Sequence, residues 1–391
     1  MAKTKTNYIK LLLALAISVL AMFVVCSFAN VEAQAKTIVI KDPDDLREIN
    51  WKNKGFGPGN TYVIGGDMTL GDGDYATCRL TKGNFVIDFN GHTVQNSNNA
   101  LTVFTVSGAN VTFKDSKATK SKLSVRSYGA GCIDVTAGKA VIQNGNYYGL
   151  SDGTNNPGSV GVGGGTCVIN GGRFYGEVIG INCAQGATLY INGGEFQGDF
   201  LFALCDMGGG KIKISKGTFY APNASNRPFA LGAYRSDMNS YYNFNTWLAG
   251  GSSFSPAFDT VYWNGQSTAD YYPSVMLPYA AAYAQTVKVT STVKAPKGTT
   301  ISSLTAGKKA LKVKWKKQAK GTSGYQIQFA TNAKFTKGKK TVKVKGGKNT
   351  VKTVKSLKAH KKYYVRIRTY RNFNGKVLYS KWSKAKAKST K

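Results

Sequence analysis

The chain is short of the residues that most catalytic chemistry uses. Of 391 residues only two are histidine, His92 and His360, and they stand in different regions, so a histidine-based nucleophile or metal site has no partner in sequence. Beyond residue 35 there are five cysteines, Cys78, Cys132, Cys167, Cys183 and Cys205. An odd number with no CxxC spacing excludes a fully paired disulfide framework and a zinc module, and leaves them as small core residues. Proline is scarce (9) while aromatics make up 12%, so the chain is neither collagen-like nor a disordered low-complexity segment. No long apolar run follows Ala29. Acidic residues are also few, 19 against 53 basic ones.

What is present begins with a leader. Lys3, Lys5 and Lys10 precede an uncharged run from Leu11 to Ala29, and Val31-Glu32-Ala33 offers the small residues of a cleavage site. Residues 1–35 are therefore expected to be a signal peptide, and the mature protein to be secreted or held at a cell surface. Contact with a membrane would come only through an uncleaved leader, which is just long enough to cross one.

Self-similarity organises the next 185 residues. AVIQNGNYYG, CVINGGRFYG, LYINGGEFQG and IKISKGTFYA share the pattern I-x-x-G-x-[FY]-x-[GA], with anchors Ile142, Ile169, Ile191 and Ile214 spaced by 27, 22 and 23 residues. Ile87 and Phe113 extend the ladder towards the N-terminus. Two residues before the anchors stand Phe85, Val111, Ala140, Cys167, Leu189 and Ile212. Seven before are Leu80, Val106, Val135, Val162, Ala184 and Met207, and nine before are Cys78, Phe104, Ile133, Val160, Asn182 and Cys205. Apolar residues at equivalent positions, alternation at period two and glycine corners without helical periodicity predict a parallel β-helix over 36–220. Asn170 and Asn192, at one equivalent position, are expected to stack as an amide ladder. Gly163-Gly164-Gly165 and Gly208-Gly209-Gly210 precede strands and open no helix, so they are corners and not phosphate loops. TYVIGGDMTL followed by FVIDFNGHTV, with Asp88, Asn90, Gly91 and His92, resembles the opening coils of pectin-lyase-like right-handed β-helix proteins exported by Gram-positive bacteria. That resemblance implies architecture more than activity, because the aspartate clusters and Gly-His-Gly pattern of polygalacturonases are missing. Residues 221–293 lose the repeat and are rich in aromatics (Tyr241, Tyr242, Phe244, Trp247, Phe254, Phe258, Tyr262, Trp263, Tyr271, Tyr272), which suggests an irregular cap.

From Ala295 to Lys391 there are 26 lysines, 3 arginines and no aspartate or glutamate, which accounts for +29 of the chain's +34. Alternating segments such as ALKVKWKK, SGYQIQFAT and KYYVRIRTY place apolar residues on one face and basic ones on the other, as a β-sandwich requires. Trp315, Leu357 six residues before Tyr363, and Trp382-Ser383 resemble fibronectin type III domains, so 294–391 is expected to be one. That makes the whole chain all-β. Lys312, Lys314, Lys316, Lys343, Lys345, Arg366 and Arg368 are the candidate polyanion contacts. The basic residues run through every strand without clustering among aromatics, which argues against specific nucleic-acid recognition.

Glu177 and Asp199 each stand eight residues after an anchor and are the one carboxylate pair placed to meet on adjacent coils, as acid and nucleophile do in retaining glycosidases. Asp134 and Asp206 are expected to share a second outward line with Arg79, three coils apart. No cofactor or metal is implied. The readings combine into an exported binding protein, its β-helix a stalk or glycan-contacting face and its basic domain holding an anionic polymer such as wall teichoic acid or an acidic polysaccharide. A polysaccharide lyase or glycosidase on an acidic glycan, and a purely structural envelope component, are the alternatives.

Overall fold

Each repeat folds as one coil of a parallel β-solenoid of about six turns. The structure is a computed structural model and describes residues 35–46, 57–71, 77–96, 101–151, 158–199, 202–222, 230–234, 243–255, 260–263, 279–282, 286–318 and 320–391. Residues 1–34 of the expected leader lie outside the described residues, as do Tyr241, Tyr242, Phe258, Tyr271 and Tyr272 of the expected cap.

A coil has three strands, one per face: Gly158–Val162, Thr166–Ile169 and Arg173–Gly176 in one, Ile179–Ala184, Thr188–Ile191 and Glu195–Gly198 in the next. Every strand pairs in parallel with its counterpart one coil on. On the second face the expected ladder holds from end to end, with Ile87, Phe113, Ile142, Ile169, Ile191 and Ile214 as successive partners and all buried.

The first face follows expectation through Val162 and then slips by one residue. Ile181 and Leu204, not Asn182 and Cys205, continue the line of Val160, and Cys183 and Asp206, not Ala184 and Met207, continue that of Val162. The cause is the turn that follows: five residues lead from Val162 to Cys167, but six lead from Cys183 to Leu189 and from Asp206 to Ile212. Because side chains alternate at period two, a fixed count would have turned the apolar set outward, so the turn absorbs the extra residue. Asp134 and Asp206 consequently do not share a line. Asp134 is in register with Thr105 and Gly161, whereas Asp206 takes an inward rung and accepts from Gly209 N (2.9 Å) and Gly210 N (2.7 Å). Cys205 moves to the outward line yet is still fully buried.

The third face explains the rest of the motif. Tyr147, Phe174, Phe196 and Phe219 stack with centroids 5.0, 5.0 and 4.9 Å apart and planes within 11° of parallel. The motif glycine two residues earlier adopts positive φ (115° at Gly172, 122° at Gly194), and a Cβ on Gly194 would lie 2.9 Å from the Phe196 ring. A residue with a side chain there is strained and strikes the stack. Asn192 Nδ2 donates to Asn170 Oδ1 (3.2 Å) and Asn170 Nδ2 to Gln143 Oε1 (3.1 Å), which is the amide ladder.

The parallel register runs on to Leu231–Tyr234, and the solenoid then ends in antiparallel strands: Thr286–Ser291 against Gly217–Tyr220, and Tyr279–Ala282 against Leu231–Tyr234. Phe244 and Trp247, on a short 3-10 turn, are buried in the same core and pack edge to face at 4.9 Å. These elements cover what would otherwise be an open sheet edge.

The C-terminal region is a two-sheet sandwich of fibronectin type III-like form. Ile301–Gly307, Ala310–Trp315 and Val351–Val354 make one sheet; Lys340–Lys345, Gly324–Ala330, Lys362–Phe373 and Lys376–Tyr379 make the other, with Lys386–Ser389 also on the Lys362–Phe373 strand. Trp315, Tyr325, Ile327, Leu357, Val365 and Ile367 fill the space between. Lys358 N donates to Tyr363 Oη (3.1 Å), a tyrosine corner that fixes the turn after Leu357.

The sandwich touches the solenoid through one hairpin tip, Phe373-Asn374-Gly375-Lys376. Asn374 Nδ2 reaches Asn192 Oδ1 (3.0 Å), Ile191 O (3.0 Å) and Lys213 O (3.1 Å), while Asn192 Nδ2 donates to Asn374 O (2.9 Å). The tip thus joins the amide ladder at Asn192, whose Oδ1 also accepts from Ser215 Oγ of the next coil (2.9 Å).

Candidate functional site

Alternation on the third face sends the residue after each stacked ring outward. Arg126, Tyr148, Tyr175, Gln197 and Tyr220 are successive partners on one outward line, and Asn146, Arg173, Glu195, Thr218 and Lys288 on a second. Tyr148 and Tyr175 stack at 4.8 Å, and Tyr220 is exposed. Beside the lines run two adjoining hollows that share Arg173, Glu195 and Thr218, one of about 530 Å³ and one of about 310 Å³. Lys120, Lys216 and Lys288 line the larger, and the three tyrosines line the smaller. The motif glycines Gly145, Gly172, Gly194 and Gly217 also line the larger hollow. Together the two form a groove parallel to the solenoid axis, cationic on one side and aromatic on the other.

Among the described residues Glu195 is the only acid lining the groove, and it pairs with Arg173 (Nε to Oε2 3.0 Å). Both side chains are partly exposed, so this rung contributes about 0–1 kcal/mol. The remaining lysines leave the groove net positive.

Glu177 and Asp199 lie one coil apart, their backbones continuing the ladder through Glu177 N to Gly149 O (3.0 Å) and Asp199 N to Gly176 O (3.2 Å). Each carboxylate has its own partners. Asp199 accepts from Tyr175 Oη (2.8 Å) and Gln197 Nε2 (2.7 Å), and Glu177 accepts from Ser151 N (2.7 Å). Burial and the Asp199 carboxylate raise the Tyr175 phenol well above its ordinary range, so it keeps its proton and donates. Asp199 thereby orients the Tyr175 ring at the edge of the groove.

Elsewhere on the solenoid the titratable groups are structural. Asp88, in the Asp88-Phe89-Asn90-Gly91-His92 turn, feels burial pushing its carboxyl up, but Lys114 at 2.8 Å and the backbone N–H groups of Ser116 and Asn90 outweigh it and hold it below the usual range. Asp134 is raised by burial, partly offset by the Thr102 hydroxyl at 2.6 Å and by Gly161. All five cysteines are free and buried, and burial pushes the thiols of Cys78, Cys167 and Cys183 up to about 12, which keeps them unreactive at neutral pH. Among the described residues no group of three or more His, Cys, Asp or Glu stands together as a metal site.

The seven basic residues picked out in the sandwich fall on both outer faces. Lys312 and Lys314 project from the first sheet, where they pair in register with Thr305 and Ser303, and Lys316 follows at the strand end. Lys343, Lys345, Arg366 and Arg368 belong to the second sheet. The two arginines are built into a ladder: Arg366 lies 4.1 Å from the Phe335 centroid and 4.6 Å from that of Trp382, and Arg368 lies 3.7 Å from Tyr379 and 4.3 Å from Trp382. Gln328 Oε1 accepts from Arg366 and Gln326 Oε1 from Arg368. Ser380 and Ser383, flanking Trp382, accept from Thr369 N and Ile367 N at 3.1 Å and pin the ring in place. Trp382 thus packs against both guanidiniums, while Lys312, Lys314, Lys343 and Lys345 remain exposed.

Sequence reading named the carboxylate pair but not the groove. The signal was there in NYYG, RFYG and GTFY, where tyrosine follows the stacked ring in three of four coils. Lys120, Lys216 and Lys288 gave no such signal, because turns and an antiparallel strand bring them together.

No family model matches the chain, and no curated protein matches it. Solved structures to which parts of it are similar include the FN1-FN3 domains of chicken CNTN1 (20% identity, 27% of this chain and 34% of that one, TM-score 0.21). A Fn3-like protein from Clostridium thermocellum is also similar (20% identity, 23% of this chain and 91% of that one, TM-score 0.18). A β-1,2-glucanase from Parabacteroides distasonis matches at 13% identity over 29% of this chain and 18% of its own, with TM-score 0.20. The chain spans about a third of the first structure and under a fifth of the glucanase. Among the described residues no helix is long and apolar enough to cross a membrane.

Proposed function

We propose that this is an exported binding protein for an anionic glycan or wall polymer, the polymer lying along the groove of the β-helix while the lysine-covered sandwich holds it electrostatically. The observation that carries this reading is the pairing of a tyrosine line with a net-positive trough along one face of a repeating scaffold. Flat rings suit sugar faces, amides and hydroxyls suit their hydroxyl groups, and ammonium groups suit acidic substituents. A sandwich with no acidic residue between 295 and 391 has no internal counter-charge, and gains by releasing the counterions of a polyanion.

The test is to incubate the mature protein, with and without calcium, with a panel of acidic and neutral polysaccharides, following co-sedimentation and released oligosaccharides. Salt-sensitive co-sedimentation on acidic polymers without release is the expected result. Release that vanishes in Glu177→Ala or Asp199→Ala replaces the binding reading by an enzyme acting on an acidic glycan. Retention on a polymer unaffected by salt removes the electrostatic part.

A further inference from the structure

We propose that Lys216 of the β-helix and Lys376 of the sandwich form one anion-binding subsite, so that a single acidic polysaccharide chain is held across the junction of the two domains. The proposal rests on the binding function above and adds where, and by which residues, the two domains act together.

The first observation is the fixed hairpin tip. Asn374 and Gly375 have φ of 46° and 72°, the positive values of a two-residue Asn-Gly turn, and Phe373 pairs with Lys376 across it. The Asn374 amide is held at 3.0–3.1 Å by three oxygens of the β-helix. Gly375 lies so close to the second face that a Cβ would be 2.7 Å from Tyr190 Cδ2 and 3.0 Å from Val168 Cγ2. Val168 stands on the outward line of its strand with Tyr190 and Lys213, yet is 1% exposed. Neither the turn nor the surface beneath it has room to shift.

The second observation is what that tip delivers. Lys376, the next residue, is half-buried. Lys216 follows Ser215, whose Oγ donates to the same Asn192 Oδ1 (2.9 Å) that takes the Asn374 amide (3.0 Å), so the latch brings the two lysines to one junction. Burial, and then the Lys216 charge, hold the Lys376 ammonium below its usual range. No carboxylate among the described residues pairs with either one. Lys216 also lines the groove, on the same side as Lys288 and Lys120. Two cations brought to one junction by the Asn374 latch, with no carboxylate pairing either among the described residues, beside a positive groove that Lys216 lines, make a place for an anionic substituent. A carboxylate on a linear glycan in the groove meets both. A tip held by a loose loop would let Lys376 swing away; the amide latch keeps it there.

The experiment measures affinity of the full mature chain for polygalacturonate at low salt, with a glycerol phosphate polymer as a second arm to separate carboxylate from phosphate sources. Lys216→Gln and Lys376→Gln are each expected to weaken binding about 3- to 10-fold. Lys308→Gln is the control, because its turn lies at the opposite end of the sandwich from the tip, where Lys309 N bonds Lys391 O, and it is expected to cost under about twofold. Asn374→Gly keeps a turn-competent residue but removes the latch amide, and it is expected to weaken binding as much as Lys376→Gln does. Adding Lys376→Gln to Asn374→Gly should then cost no more than Lys308→Gln. Gly375→Val, which drives the tip off Tyr190, provides a second latch variant, with a thermal melt of each confirming a folded chain. Losses at Lys216 and Lys376 no larger than at Lys308, or a full additional loss on the Asn374→Gly background, overturn the composite subsite while leaving the binding function intact. A wild-type chain that binds neither polymer overturns both.

Discussion

The two halves of the molecule handle charge in opposite ways. In the β-helix, opposite charges can meet from one coil to the next, as Lys114 meets Asp88 and Arg173 meets Glu195, because a repeat places equivalent positions side by side. The sandwich has no acid to offer, so Arg366 and Arg368 lie against aromatic rings and glutamine oxygens, and strand lysines such as Lys312, Lys314, Lys343 and Lys345 stay in water. A fold whose core is complete can leave its outer face entirely to one sign, at the cost of self-repulsion that solvent ions must screen. Under the proposed function, that difference gives the solenoid a specific shape and the sandwich a non-specific attraction.

The comparison can be broken at the core first. Phe196→Ala, in the middle of the ring stack, should destabilise the solenoid by about 3–5 kcal/mol, because the rings above and below lose a partner and the coils cannot collapse into the space. Denaturant unfolding followed by far-UV circular dichroism gives the value. Trp382→Ala should cost the sandwich about 1–3 kcal/mol, since Arg366 and Arg368 lose the ring on which both pack. That loss should shrink as salt is added, which the Phe196 loss should not. In scanning calorimetry, raising sodium chloride should shift the sandwich transition upward by about 4–8 °C per kcal/mol of repulsion screened, while the solenoid transition stays nearly fixed. The smallest effect concerns Asp134. Its folded-state carboxyl is raised by burial, so the charged form is penalised above that raised value and the penalty fades as pH falls through it towards the unfolded value. Asp134→Asn should therefore raise the melting temperature slightly at pH 7 and leave it unchanged in acid.

Sequence made the architecture legible wherever one residue type recurs for one physical reason. The anchor isoleucines, the glycine that must avoid a ring and the ring itself fix coil and register without any structural knowledge, and Trp315, Leu357 and Tyr363 do the same for the sandwich. Legibility fails where a turn changes length by one residue, as after Cys183, since counting back from the anchor then reads the wrong face. It fails again at contacts between distant segments. Nothing around Asn374 or Lys376 marks them as neighbours of Asn192 and Lys216, because no repeat relates a hairpin tip to the coil it meets. Glu177 and Asp199 were placed one coil apart by the repeat alone, but the hydrogen bonds that occupy each carboxylate depend on Tyr175, Gln197 and Ser151 and were not readable from spacing.

The most direct test of the account is a lysine-acylation footprint of the full mature chain with and without saturating polygalacturonate, read by mass spectrometry. Protection of Lys120, Lys216, Lys288 and Lys376, with weak and diffuse protection over the sandwich faces, is the predicted pattern. Protection confined to sandwich lysines such as Lys312, Lys314 and Lys343, with the groove lysines as reactive as in the free protein, would contradict it.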